Sequence, residues 1–228
     1  MPSIPARLAR RAVLAALASV AFAAHAAGPI FEYEVTVTNI TYNQRFTPLL
    51  LATHKPEIRM FRLGDAASPE LATLAEEGNI MPLRAMLDAS PLVRATEAGA
   101  GLLDPGQSVS FVIKGNPRED RLSLAAMLIP TNDAFVALNA VALPLGPNAV
   151  ASMTAVAYDA GSEVNDELCA SIPGPMFAEC GGPGGGAKAG GGEGFVHVHR
   201  GMHGVGDFAP SARDWRNPVA SVQVRRMR

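Results

Sequence analysis

The sequence is poor in several things at once. Its 228 residues hold two cysteines, one tryptophan and three tyrosines, and only 18% of them are charged. Two thiols, Cys169 and Cys180, cannot complete a tetrahedral metal site alone. The sparse charge forms no basic stripe, so the charge pattern gives no support to nucleic acid or anionic lipid as a partner. Beyond residue 26 no apolar run approaches the ~20 residues of a membrane-spanning helix. The signatures of several common chemistries are missing too. There is no G-x-S-x-G elbow, phosphate-binding loop, dinucleotide fingerprint, H-E-x-x-H helix or EF-hand spacing.

What is present begins with an address label. Arg7, Arg10 and Arg11 precede the apolar run "AVLAALASVAFAA", and Ala24-His25-Ala26 follows. A positive start, an apolar middle and an A-x-A end form a secretory signal peptide, with cleavage expected after Ala26. The division is therefore 1–26 signal peptide and 27–228 mature domain. The protein is expected to be exported, to the periplasm or beyond. The first 26 residues carry three of the 19 basic residues and no acid, so the mature part has 16 bases against 21 acids. Its 202 residues suit one all-β domain and can bury a core without covalent help. Export makes a Cys169–Cys180 disulfide the ordinary reading of the two cysteines.

Period-two alternation dominates the mature chain. In "FEYEVTVTNITY", Phe31, Tyr33, Val35 and Val37 alternate with polar residues, as a half-buried strand requires. "PLLLATH", "QSVSFVIKG", "DRLSLAAMLIP", "DAFVALNAVALP", "NAVASMTAVAYDAG", "GFVHVHRG" and "PVASVQVRRM" read as further strands. Two short helices interrupt them. "SPELATLAEEGN" offers Ser68 as N-cap, Pro69 in the first turn and Gly78 as stop, and "IMPLRAMLDAS" reads as a second helical turn. "EAGAGLLDPGQS" is a connection. The pattern predicts an all-β fold, an antiparallel β-sandwich with short helices in its connections. "CGGPGGGAKAGGGEG" reads as a flexible loop without intrinsic order, a poor place for a site.

Two constellations could carry chemistry. "YDAGSEVNDE" crowds Asp159, Glu163, Asp166 and Glu167 beside Gly161, with Asn165 among them. Carboxylates held this close repel unless water or a cation stands between them. The loop is either a solvated turn or part of a calcium site, since calcium takes 6–8 oxygen ligands. The second constellation is His197, His199 and His203. A strand points residues i and i+2 to one face, so three imidazoles can hold zinc or copper, for hydrolysis or redox chemistry. They can equally be ordinary strand histidines bonded to carbonyls. No carboxylate is read beside the cluster to act as a base, Asp207 being the nearest downstream, and this argues against hydrolysis. Trp215 is expected to pack at an edge, and Arg216 to pair with an acid.

The stretches "VTVTNITYNQRFTPLLLATH", "PTNDAFVALN", "YDAGSEVNDE", "GFVHVHRGMHG" and "DWRNPVASVQVRR", in this order and spacing, resemble bacterial spondin-domain proteins. These are similar to the spondin domain of the secreted matrix proteins F-spondin and mindin. The resemblance covers roughly residues 32–226. It implies a β-sandwich similar to C2 domains, a calcium ion held by acidic loops at one end, and extracellular adhesion or binding without catalysis. It puts Asp133, Asp159 and Glu163 on the family's acidic positions, and Asp166 is close enough to add oxygens. Ala134 replaces a Trp of the animal pattern, and Glu163 replaces an Asp. The thrombospondin-type repeats of the animal proteins are missing, so adhesion is not inherited with the domain. The partner is expected to be an extracellular ligand or protein of unspecified identity.

Overall fold

Each alternating stretch forms a strand, and the strands join edge to edge. The computed structural model describes residues 29–188 and 190–227, and the stretch read as a signal peptide lies outside them. The strands are β1 (Phe31–Asn39), β2 (Arg45–Phe46), β3 (Leu50–His54), β4 (Val93–Ala98), β5 (Ser108–Gly115), β6 (Arg121–Ile129), β7 (Ala134–Ala142), β8 (Val150–Asp159), β9 (Met176–Phe177), β10 (Gly182–Pro183), β11 (His197–Val198) and β12 (Ala220–Arg226). Helices α1 (Pro69–Glu77) and α2 (Met81–Asp88) lie between β3 and β4, and the short α3 (Pro210–Arg213) precedes β12.

The fold is all-β and antiparallel, as its pattern predicts. One sheet runs β4-β3-β6-β7-β8-β12-β1-β5, with β11 added to β8 and β2 to β6. It curls until its two ends approach each other. There the Thr53 hydroxyl on β3 donates to the Lys114 carbonyl on β5. The two faces expected of a sandwich are thus the two halves of one nearly closed sheet. Strand β4 falls between two stretches read as a helix and a connection, and its "VRATEA", half polar and only partly buried, gives little strand signal.

The interior of the curl holds Tyr33, Val35, Phe111, Leu124, Val136 and Val222, among others. A second apolar layer covers the outside of β3, β6 and β7. There Leu71, Leu74, Leu83 and Leu87 of the helices pack on Leu50, Ala125 and Phe135. Strand β6 is therefore buried on both faces, which explains its run of apolar residues. The first helix is bounded as its sequence indicates. The Ser68 side chain accepts the Leu71 N–H, and Gly78, in the left-handed region, donates its N–H to the Leu74 carbonyl. Cys169 and Cys180 are joined in a disulfide. No helix among the described residues is long and apolar enough to cross a membrane.

Candidate functional site

Strand pairing brings the two motif stretches to one end of the sheet. Asp133 immediately precedes β7, Asp159 closes β8, and Ala134 stands opposite Asp159 in the ladder. The Ala160 N–H donates to the Asp133 carbonyl, 3.2 Å. From there the acidic loop folds back, because Gly161 takes a φ of +66° that a residue with a Cβ rarely adopts.

The loop is built around Asp133. One carboxylate oxygen, Oδ2, accepts the Ser162 N–H at 2.8 Å and the Glu163 N–H at 3.0 Å. The other, Oδ1, is buried with no partner among the described residues. Burial first and the Asp159 charge second raise the Asp133 carboxyl above its ordinary range, against the pull of the Glu163 and Ser162 amides. Glu163 is fully buried, and among the described residues neither of its carboxylate oxygens has a hydrogen-bond partner of ordinary geometry. Burial, reinforced by Glu76, Asp133 and Asp166, pushes its pKa up to about 8, although the Lys188 amide acts in the opposite sense. Asp159 accepts the Gly161 N–H at 2.7 Å on Oδ1 and the Asn165 side chain at 2.9 Å on Oδ2.

Asp166 and Glu167 are held differently. Asp166 accepts from Asn132, Ser171 and the Leu168 amide. Burial raises its pKa, but these bonds and Lys188 outweigh that and leave it lowered. Glu167 accepts the main-chain N–H groups of His203, Gly204 and Val205 at 2.5, 2.6 and 3.0 Å. Both acids brace loops.

The histidines separate. His197 stands opposite Asp159 in the β11–β8 ladder. Its Nε2 lies 3.8 Å from Asp159 Oδ2, and His199 Nε2 lies 3.7 Å from the same atom. His203 faces Glu167 instead, at 3.9 Å. Carboxylates therefore do stand beside the histidines, contrary to the expectation from sequence proximity. They arrive through strand pairing and loop closure across more than thirty positions, which local reading cannot detect. Asp207, the nearest in sequence, is occupied in accepting the Cys169 N–H. Trp215 is buried against the His199 ring at 4.9 Å, and Arg216 pairs with Asp214.

The glycine-rich stretch also departs from expectation. It lies across the acidic loop as a strap. Gly190 N–H donates to the Ser162 carbonyl, Gly194 N–H to the Gly161 carbonyl, and Glu163 bridges to Gly191. The disulfide and the Gly185 N–H bond to the Cys169 carbonyl tie its beginning. The absence of side chains is what permits this contact, since a Cβ on Gly192 would collide with the Gly161 and Glu163 carbonyl oxygens. The strap delivers Glu193, which sequence reasoning passed over. Asp159, Glu193 and His197 each offer a ligand atom, all within 4.8 Å of one another, the one such trio found among the described residues. Asp133 and Glu163 are not part of it.

The Spondin_N family model matches residues 37–165, more than half of the chain. The chain belongs to the spondin-domain family. No curated protein matches it. The matched part of the spondin domain runs from β1 through the acidic loop and includes Asp133, Asp159 and Glu163, whereas Glu193 and the histidines lie beyond it. Family membership supports a non-catalytic extracellular binding module in general terms, and the disulfide agrees with an extracellular setting.

Proposed function

We propose that this spondin-domain protein is exported, binds calcium at the acidic end of its sheet, and serves as a non-catalytic binding or adhesion module. The observation that carries the reading is the set of three buried carboxylate oxygens, Asp133 Oδ1 and Glu163 Oε1 and Oε2, that have no hydrogen-bond partner among the described residues. A buried carboxylate without a donor must take up a proton or find a cation. Calcium suits this setting because it accepts an irregular set of oxygens, including carboxylates, amides, carbonyls and water. Asp133, Asp159 and Glu163 would hold it, with Asn165 alongside. Asp166 is spoken for by Asn132, Ser171 and the Leu168 amide, and its part is to hold the loop. The ion would lock two loops together, or leave a coordination position open to an acidic group on an extracellular partner.

The test is thermal melting of the purified chain with calcium and with a calcium chelator. At a hundredfold excess of calcium over Kd, mass action stabilises the native state by about 2.7 kcal/mol. For a domain of this size that corresponds to a rise of roughly 5–10 °C in Tm. Asp133→Asn should abolish the rise. A wild-type Tm indifferent to calcium would overturn the reading.

A further inference from the structure

We infer that a second metal site, for a divalent transition ion such as zinc, lies beside the acidic loop and is formed by His197, Glu193 and Asp159. It shares Asp159 with the calcium reading and differs from it in its other ligands, Glu193 and His197, and in the ion it selects.

Geometry comes first. A tetrahedral zinc ion with bonds of ~2.1 Å sets its ligand atoms about 3.4 Å apart. His197 Nε2 and Asp159 Oδ2 stand 3.8 Å apart, so a shift of a few tenths of an ångström closes them on one ion. Glu193 completes a trio whose ligand atoms all lie within 4.8 Å. The donors come from three places: the end of β8, the strap and β11.

Chemistry comes second. His197 Nδ1 lies 3.2 Å from the Phe195 carbonyl oxygen, which can only accept, so the proton belongs on Nδ1. The Nε2 lone pair is then left facing Asp159 Oδ2. A carbonyl holding the far nitrogen is how protein sites orient a metal-binding histidine. An imidazole nitrogen favours zinc or copper over calcium, which prefers oxygen alone.

A third, independent observation comes from His199. It is more than nine-tenths buried, and its Nε2 has no partner while facing Asp159 Oδ2 at 3.7 Å. Its Nδ1 accepts the Gly201 N–H at 3.0 Å, so the proton is on Nε2. His199 therefore turns its Nε2–H towards Asp159 Oδ2 from beyond hydrogen-bond distance, and it is not itself a ligand. Three protein ligands leave a fourth position for water. Because Glu193 is exposed, that position is open to solvent or to a partner's side chain.

The experiment is calorimetric titration of the metal-stripped full chain with zinc chloride, repeated with calcium chloride. One zinc per chain is expected. His197→Ala and Glu193→Gln should each weaken zinc binding at least tenfold, and both residues lie outside the core, so folding is retained. Asp133→Asn should abolish the calcium response and keep the zinc stoichiometry. Absence of stoichiometric zinc binding, or zinc affinity unchanged in both His197→Ala and Glu193→Gln, would overturn the site. Because Asp133→Asn separates the two ions, failure of the calcium reading and failure of the zinc site are read independently.

Discussion

One loop contains two kinds of acid. At its far end Glu167 collects three main-chain N–H groups, and Asp166 collects an amide, a hydroxyl and a side-chain amide. A few residues earlier Glu163 has only the Lys188 amide acting on it and no hydrogen bond of ordinary geometry among the described residues, and Asp133 across from it keeps one oxygen bare. The crowding of charge is alike at both ends. The supply of donors is what differs. A carboxylate surrounded by N–H groups is a structural brace, whereas one buried without them must hold a proton or wait for a cation.

The largest way to break this comparison is pH. Glu163 has its folded pKa raised from an ordinary 4.5 to about 8. Below pH 4.5 the carboxyl is protonated in both folded and unfolded states, and its neutral form is fully tolerated in the fold. As pH rises towards 8 the unfolded chain loses that proton readily and the folded one does not, so stability falls. The loss at pH 9 relative to pH 4.5 is on the order of 4 kcal/mol in the absence of metal. Urea unfolding at a series of pH values should show this decline, and Glu163→Gln should flatten it. A profile identical in the wild type and Glu163→Gln would remove Glu163 from the argument.

Next in size is the brace. Glu167→Ala strands three loop N–H groups and should cost about 3 kcal/mol, measured by urea unfolding in chelator at fixed pH. The smallest effect belongs to Asp166→Asn, which keeps one acceptor oxygen and should cost about 1 kcal/mol. Its calcium-dependent melting shift should survive. Loss of that shift would make Asp166 a ligand and erase the contrast between the two ends of the loop.

Much of this was visible in the residues. Alternation marked β1, β5 and β12 with their inward faces, and Ser68, Pro69 and Gly78 bounded α1. The acidic positions followed from the resemblance to spondin domains. What stayed hidden depended on contacts between distant parts of the chain. Sheet closure through Thr53 and Lys114 is a meeting of edges that no local period encodes. Glu193 was hidden because a run of glycines reads as slack, yet here the missing side chains are what let main chain lie on main chain. The carboxylate beside His197 was hidden because Asp159 lies 38 positions earlier.

Strand β11 is only two residues long, and its pairing places His197 opposite Asp159 and Val198 opposite Tyr158. Side chains in a strand alternate, so this short ladder works as a parity check on everything upstream of it. The strap ahead of it is fixed as well, since Gly185 and Gly192 lie against main-chain carbonyls and Gly190 and Gly194 donate to the acidic loop. An error of one residue within the ladder would present a valine to the carboxylate and turn the imidazole away. The glycine run and the short ladder are thus two parts of one arrangement, in which main chain laid on main chain leads up to the single register that decides what Asp159 meets.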